Sequence, residues 1–359
     1  MTIKEIATLA NVSTGTVDRV IHNRGKVNPE KKALIEKIIE ESGFKPNVYA
    51  RNLKLNRGTI IGYLTPSLDS EDGYWNIVYQ GVQSAQKDLS DMSVSVKVYE
   101  YDRMKEGSFT NASSKMVSDG VDAAVIIAKS VSEAKEFLCK NKDLVYVLVD
   151  SDIDGATPIS TVSQNPCNGG CIGGKILSLL CKKEGTFLTF SFNDSHISRE
   201  RINGFKRYCW ERNYNVVDYN IDGIDSIPNV LETAFKSYSI TGIFVPFFAG
   251  AKVASDLEKR LHIIDIPIVS YDLVKSNREA LLDGRISCIL SQRPVFQGYA
   301  ALWQIYRYIV LKQTVASKVE VQVDVLFKEN LPVEFVGPEN DSRLSQYCAP
   351  RESDFFWST

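Results

Sequence analysis

Nowhere in the chain do eighteen apolar residues stand in a row, so no segment reads as a membrane-crossing helix. Export is not signalled either: Met1-Thr2-Ile3-Lys4-Glu5 leads straight into an amphipathic pattern without an unbroken apolar core, and the expected location is the cytoplasm. Histidine is scarce, with three copies (His22, His196 and His262) far apart in sequence. No Gly-x-Ser-x-Gly occurs, and Gly169-Gly170 and Gly173-Gly174 do not make a phosphate loop. These absences leave no catalytic constellation, and the chain is expected not to be an enzyme. Cysteine is odd in number, seven residues scattered from Cys139 to Cys348, which fits reduced thiols rather than a disulfide framework. Cys167 and Cys171 have the spacing of one helical turn, but without a nearby histidine or second cysteine pair they do not make a metal site, and neither metal nor cofactor is expected.

Net charge is also small, −2 over 359 residues, yet it is unevenly spread. Residues 1–58 hold 11 Lys/Arg against 6 Asp/Glu, a balance of +5, and the remainder holds 31 against 38, or −7. A basic head suits a phosphate backbone and an acidic body does not.

That head carries two short amphipathic segments. Ile3, Ile6, Ala7, Leu9 and Ala10 fall at helical spacing in the first, and Val17, Val20 and Ile21 in the second. The corner between them needs a residue that tolerates the left-handed region, which Asn11 does. Ser13 then caps the second helix. With its apolar side packed inward, this helix presents Thr14, Gly15, Asp18 and Arg19 outward as a helix-turn-helix would, Arg19 having the fork that matches guanine O6/N7. Asn28-Pro29 opens a third helix whose buried face is Leu34, Ile35, Ile38 and Ile39, with Gly43 as its stop. After Lys45-Pro46, the segment 47–55 is capped by Asn47 but is too short to hold a helix alone.

Thr2-Ile-Lys-Glu-Ile-Ala7, Val12-Ser13, Thr16-Val-Asp-Arg-Val20 and Pro46-Asn47 closely resemble the amino-terminal pattern of the lactose-repressor (LacI) family of bacterial transcriptional regulators, over about sixty residues. The resemblance implies that 47–58 is a hinge that folds on operator DNA. It places the minor-groove leucine at Leu53 with Ala50 beside it, an apolar wedge that kinks the duplex. The DNA-facing set it implies is Ser13, Thr14, Gly15, Thr16, Arg19, Asn23, Asn47, Ala50 and Leu53. Asn11 stands where the family usually has glycine and Asp18 where it usually has serine. Thr14 and Gly15 occupy the two main specificity positions, and glycine has no side chain to read with, so sequence readout is expected to lean on Thr14, Arg19 and the hinge.

From Thr59 short apolar runs alternate with longer amphipathic ones, the pattern of parallel βαβ units. Strands are expected at 60–64, 94–101, 123–128 and 145–149, and a second series at 187–192, 216–221, 242–245, 266–270 and 286–290. A helix at 294–311 and strands at 319–325 and 333–336 follow both series, so the chain crosses back between two lobes. The expected fold is a small all-α head plus two doubly wound α/β lobes with a cleft between them. The expected domains are 1–46 for DNA binding, 47–58 for the hinge and linker, 59–338 for the two lobes, and a tail at 339–359. The first lobe takes 59–161 and 293–323, the second 162–292 and 324–338. The tail has no leucine heptads and offers no tetramerising coiled coil.

Ligands of open parallel sheets sit beyond the carboxyl ends of the strands. Tyr74, Trp75, Asp150, Arg201, Phe247, Asp272 and Gln292 all lie there, and aromatics with planar hydrogen-bonding groups suit a sugar's C–H face and hydroxyls. The body, roughly 59–338, looks like the periplasmic sugar-binding protein fold, most like its ribose- and galactose-binding branch. That resemblance implies stacking by Tyr74 and Trp75, hydroxyl binding by Asp150 and Asp272, a clamp at Arg201 and a crossover position for Gln292. Ser151 stands where the branch often has arginine and Phe247 where it often has asparagine, which argues against a simple ribose-like ligand. Together these features predict a homodimeric regulator that binds a pseudo-palindromic double-stranded operator under the control of a small molecule, a sugar or sugar derivative. A transport solute-binding protein is the alternative, opposed by the DNA-reading head and the missing export signal.

Overall fold

The computed structural model describes residues 3–21, 27–42, 58–69, 73–151, 153–181, 185–192 and 196–331. The hinge segment 47–57, the strand expected at 333–336 and the tail from 339 lie outside them. The chain divides into two compact units, residues 1–58 with 91–93, and the rest.

The first unit contains α1 (Ile3–Leu9), α2 (Thr14–Ile21) and α3 (Pro29–Ser42). Ile6, Ala7, Ala10, Val17, Val20 and Ile35 form its buried core. Asn11 adopts φ 48° at the corner, the left-handed turn expected of it. Ser13 Oγ accepts from the Thr16 backbone N–H at 3.2 Å, and Asn28 Oδ1 accepts from that of Glu30 at 2.9 Å, so both caps form. Leu9 and Leu34, expected inside, are instead 61 % and 41 % exposed. Each stands beside the inward stripe of its helix, which Ile6 and Ala10 or Ile35 already fill.

The second unit holds two six-stranded sheets. The first comprises β1 (Thr59–Pro66), β2 (Val94–Tyr101), β3 (Ala123–Ile126), β4 (Tyr146–Val149), β5 (Ser160–Gln164) and β11 (Lys318–Val321), in the order β11-β5-β4-β3-β1-β2. The second comprises β6 (Thr186–Ser191), β7 (Asn215–Asn220), β8 (Ile240–Val245), β9 (Ile268–Tyr271), β10 (Cys288–Ser291) and β12 (Asp324–Leu326), in the order β12-β10-β9-β8-β6-β7. The two orders are the same permutation. Pairings are parallel except β10 with β12. The helices are α4 (Tyr74–Asp88), α5 (Ser108–Ser118), α6 (Val131–Lys140), α7 (Pro166–Leu180), α8 (His196–Trp210), α9 (Ile227–Ser237), α10 (Gly250–Asp256), α11 (Lys275–Leu282) and α12 (Pro294–Ile309). Both faces of the second sheet carry core: Leu188 and Ile243 pack on one, Phe187, Phe244 and Tyr271 on the other. That is why its strands read as continuous apolar runs.

Two expectations change. β5 is not among the expected strands, because two of the three residues that Ser160-Thr-Val-Ser-Gln164 turns inward, Ser160 and Gln164, are polar and give no apolar alternation. The single strand expected at 319–325 is two strands: Gln322-Val323 carries the chain from the edge of one sheet to the edge of the other.

Helix pairs repeat the symmetry of the sheets. α4 packs on α12 through Gly81 and Gly298, and α8 packs on α7 through Gly204 and Gly170. A Cβ at Gly81 would fall on the Val295 carbonyl, at Gly298 on that of Val78, at Gly204 on that of Cys167 and at Gly170 on that of Arg201. These glycines permit backbone-to-backbone approach within each helix pair.

Candidate functional site

In the head, Ser13, Thr14, Gly15 and Arg19 are exposed and Thr16 is half-buried, while Val17 and Val20 of the same helix are buried. The amphipathic split therefore puts the proposed reading face outward. Arg19 Nε bonds to the Gly15 carbonyl at 3.1 Å, laying the guanidinium along the helix. Thr16 Oγ1 is 2.9 Å from Ser13 Oγ. Asn23, Asn47, Ala50 and Leu53 lie outside the described residues.

In the body, six of the seven strand-end positions, Tyr74, Trp75, Asp150, Arg201, Asp272 and Gln292, are linked by hydrogen bonds, ring contacts or electrostatic coupling, whereas Phe247 packs in the second lobe's core. Asp150 follows β4 and Asp272 follows β9, both in the left-handed region at φ 43° and 66°. The backbone N–H of Asp150 donates to Val162 and that of Asp272 to Leu290, each two residues before a glutamine, Gln164 or Gln292. The lobes thus build the same corner twice. Its sequence trace is Ser163-Gln164-Asn165-Pro166 against Ser291-Gln292-Arg293-Pro294, a repeat that would have identified Gln164 as a site residue. In each copy the proline opens the crossover helix, where its missing N–H costs nothing.

Gln292 joins the charged groups. Its Oε1 accepts from Arg201 Nη2 at 3.0 Å and its Nε2 donates to Asp272 Oδ1 at 2.8 Å, while the Gln164 amide beside it turns its oxygen to Arg201 Nε at 3.1 Å. Arg201 also donates from Nη1 to the Pro246 carbonyl at 2.8 Å and lies 3.7 Å over the Tyr271 ring. Burial pushes the Tyr271 phenol up to about 12, with Arg201 opposing. Asn277 holds the Asp272 loop, donating to the Tyr271 and Asp272 carbonyls at 2.9 Å each. Gln297 Nε2 holds the Gln292 carbonyl at 2.7 Å. Beside them Arg293, at φ 48°, makes a bidentate pair with Asp324 at 2.8–3.1 Å, tying the second crossover between the sheets to the third.

Tyr74 and Trp75 begin α4, their rings edge to face at 4.8 Å. Burial raises the Tyr74 phenol well above its ordinary value, and Asp150 and Asp272, one from each lobe, add to the shift. Phe247 stacks at a tilt on Phe192, 4.7 Å between centroids. Ser151, the position lacking the expected arginine, accepts from the Ala128 N–H at 2.8 Å and closes the end of β3. Trp75, Asp150, Arg201, Asp272 and Gln292 are each nine-tenths or more buried, so a ligand that touches them must be enclosed between the lobes.

Like Gln164, one further side chain stands outside the expected set. Lys129, three residues past β3, places Nζ 2.9 Å from Asp150 Oδ2 and 5.1 Å from the Trp75 ring centroid. A lone lysine ending an apolar run carries no periodic signal, and none in the sequence would have found it.

A family model of the periplasmic binding protein domain matches residues 61–313, and one of bacterial regulatory proteins, lacI family, matches residues 2–47. The chain is 25% identical over 259 residues to the catabolite control protein A of Priestia megaterium, covering 68% of this chain and 73% of that one. It is 29% identical over 163 residues to the HTH-type transcriptional regulator RegA of Clostridium saccharobutylicum, covering 45% of this chain, and the match spans about half of that relative, 47% of its length. A crystal structure of a protein of Bacteroides fragilis described as a LacI transcriptional regulator superposes with a TM-score of 0.68 at 23% identity, over 76% of this chain and 98% of that one. An ABC transporter solute-binding protein of Burkholderia graminis in complex with D-arabinose reaches the same TM-score at 17% identity, over 78% of this chain and 99% of that one. At such identities the structural likeness is one of fold. With a lacI-type helix-turn-helix at one end and a periplasmic-binding-protein body matched over most of its length, the chain belongs to the lacI family of bacterial regulatory proteins.

Proposed function

We propose that this protein is a cytoplasmic, homodimeric transcriptional regulator whose affinity for a pseudo-palindromic operator is set by a small carbohydrate or carbohydrate derivative held between the lobes of the body. The observation that carries this reading is the buried Arg201–Gln292–Asp272 network facing Tyr74, Trp75 and Asp150, on a chain whose other end exposes Thr14, Gly15 and Arg19. Planar bidentate groups and indole faces match hydroxyls and C–H faces. A ligand that binds one arrangement of the lobes better than another changes operator affinity, and a coupling of about 1–3 kcal/mol corresponds to roughly 5- to 150-fold.

The test is a thermal unfolding scan of the full chain against monosaccharides, oligosaccharides, sugar acids and sugar phosphates. At a hundred times its dissociation constant a ligand adds about 2.7 kcal/mol to native stability. The reading requires that one carbohydrate class raise the midpoint and that Arg201→Ala and Asp272→Ala remove the rise. A flat response to every carbohydrate removes the sugar from the reading. For the head, selection from a randomised duplex pool should return a two-half-site sequence, and its absence would overturn operator binding.

A further inference from the structure

The two first-lobe groups best placed to meet a ligand, the Trp75 face and the Asp150 carboxylate, are engaged by one ammonium. Lys129 Nζ bonds to Asp150 Oδ2 at 2.9 Å and to the Asp150 carbonyl, and stands 5.1 Å from the Trp75 centroid. Its backbone is pinned: the Lys129 N–H donates to the buried Tyr101 hydroxyl at 2.9 Å, and that hydroxyl donates to the Ile127 carbonyl at 2.8 Å. The arrangement is therefore built, not an accident of a long side chain at the surface. The Lys129 side chain is 24 % exposed and that of Asp150 7 %, so the lysine is the more accessible member of the pair.

An aromatic face next to a carboxylate is the chemistry that recognises an organic ammonium. Here the chain supplies that ammonium itself. The consequence is a charge balance: Lys129 offsets Asp150 in the first lobe, and Arg201 is bridged to Asp272 by Gln292 in the second. A buried charge added to such a wall, of either sign, meets no free counter-charge and is penalised. Two buried atoms of this wall, Asp150 Oδ1 and Trp75 Nε1, bond to no protein group among the described residues. One accepts and the other donates, and a hydroxyl does both.

We propose that Lys129 fixes the charge class of the effector, filling an ammonium site made by Trp75 and Asp150 so that the wall accepts uncharged hydroxylated ligands and rejects amino sugars. The inference rests on the reading of this wall as the effector site. Replacing Lys129 by Met or Ala removes the internal cation and leaves a vacant ammonium site.

Two measurements on the full chain test it, one without any sugar. In Lys129→Ala, millimolar propylammonium chloride should raise the thermal midpoint, sodium chloride and sodium propionate at equal concentration should not, and the parent chain should respond to none of them. Lys129→Ala,Asp150→Asn should lose the propylammonium response. In the second measurement, D-glucose, D-galactose and D-ribose are compared with glucosamine, galactosamine, glucuronate and ribose 5-phosphate. The parent should respond to a neutral sugar and not to its charged counterpart, and Lys129→Met should gain about tenfold in amino-sugar affinity. No propylammonium response in Lys129→Ala overturns the proposal, as does a parent that prefers an amino sugar, an acid or a phosphate. A propylammonium response with silence toward every sugar upholds the ammonium site and removes the sugar reading instead.

Discussion

Gln164 and Gln292 stand at the same place in the two sheets, and their amide oxygens share one guanidinium, Arg201 donating from Nη2 to Gln292 at 3.0 Å and from Nε to Gln164 at 3.1 Å. The contact lies where two of the crossovers between the lobes run side by side, and Gln292 extends it to Asp272.

Gln292→Ala removes the acceptor of a buried Arg201 N–H and the donor to a buried carboxylate. Leaving such groups unpaired costs about 1–3 kcal/mol each, so a total loss of roughly 3 kcal/mol is expected. Urea unfolding of the full chain measures it. A midpoint within error of the parent would show that the network contributes nothing to stability.

Gly81→Ala and Gly170→Ala drive a methyl group into a neighbouring helix's carbonyl, at Val295 and Arg201 respectively. Overpacking against backbone that cannot yield should cost about 3 kcal/mol or more. Gly223→Ala is the control, since that residue is extended at φ −171° with nothing within 4 Å of its Cβ. It should stay within about 0.5 kcal/mol of the parent. Equal behaviour of all three variants would contradict the close helix crossings.

Burial pushes the thiols of Cys209 and Cys288 up to about 12 and that of Cys181 up to about 11, against an ordinary 9.0. At pH 8 a thiol with a pKa of 12 is thiolate in roughly one molecule in ten thousand. Iodoacetamide should therefore label exposed Cys139 in the native chain and reach Cys209 and Cys288 only after denaturation, as peptide mapping would show. The sign for stability follows: a raised folded-state pKa contributes fully below 9.0, and the contribution is lost as pH rises toward 12. Native labelling of Cys288 at pH 8 would refute its placement.

Arg19→Ala takes the longest exposed donor from the outward face of α2 without touching the core below it. On the selected duplex it should weaken binding by about 1–3 kcal/mol per half-site. On random DNA it should reduce the salt dependence by no more than about one counterion. Equal losses on both would make Arg19 a phosphate contact, not a base reader. Ser13→Ala should cost about 1 kcal/mol of stability through its lost cap.

The sequence by itself determined the local features. The helix-turn-helix, its left-handed Asn11, the Ser13 and Asn28 caps and the alternation of strands with helices depend on neighbours a few residues apart, where periodicity and capping chemistry act. Strand-end positions for Asp150, Asp272 and Gln292 were legible for the same reason, because each closes an apolar run. Tertiary structure decided what depends on sheet order and on crossovers. Gln164 and Gln292, 128 positions apart in sequence, meet at Arg201, and polar β5 is ordered by the strands on either side of it. β11 and β12, two residues apart, go to different sheets. Lys129 is an isolated lysine until β3 and β4 lie side by side and bring Asp150 to its ammonium. Contacts of this kind leave no pattern in the chain, since the energy that selects them comes from burial and pairing between segments that only the assembled sheets bring together.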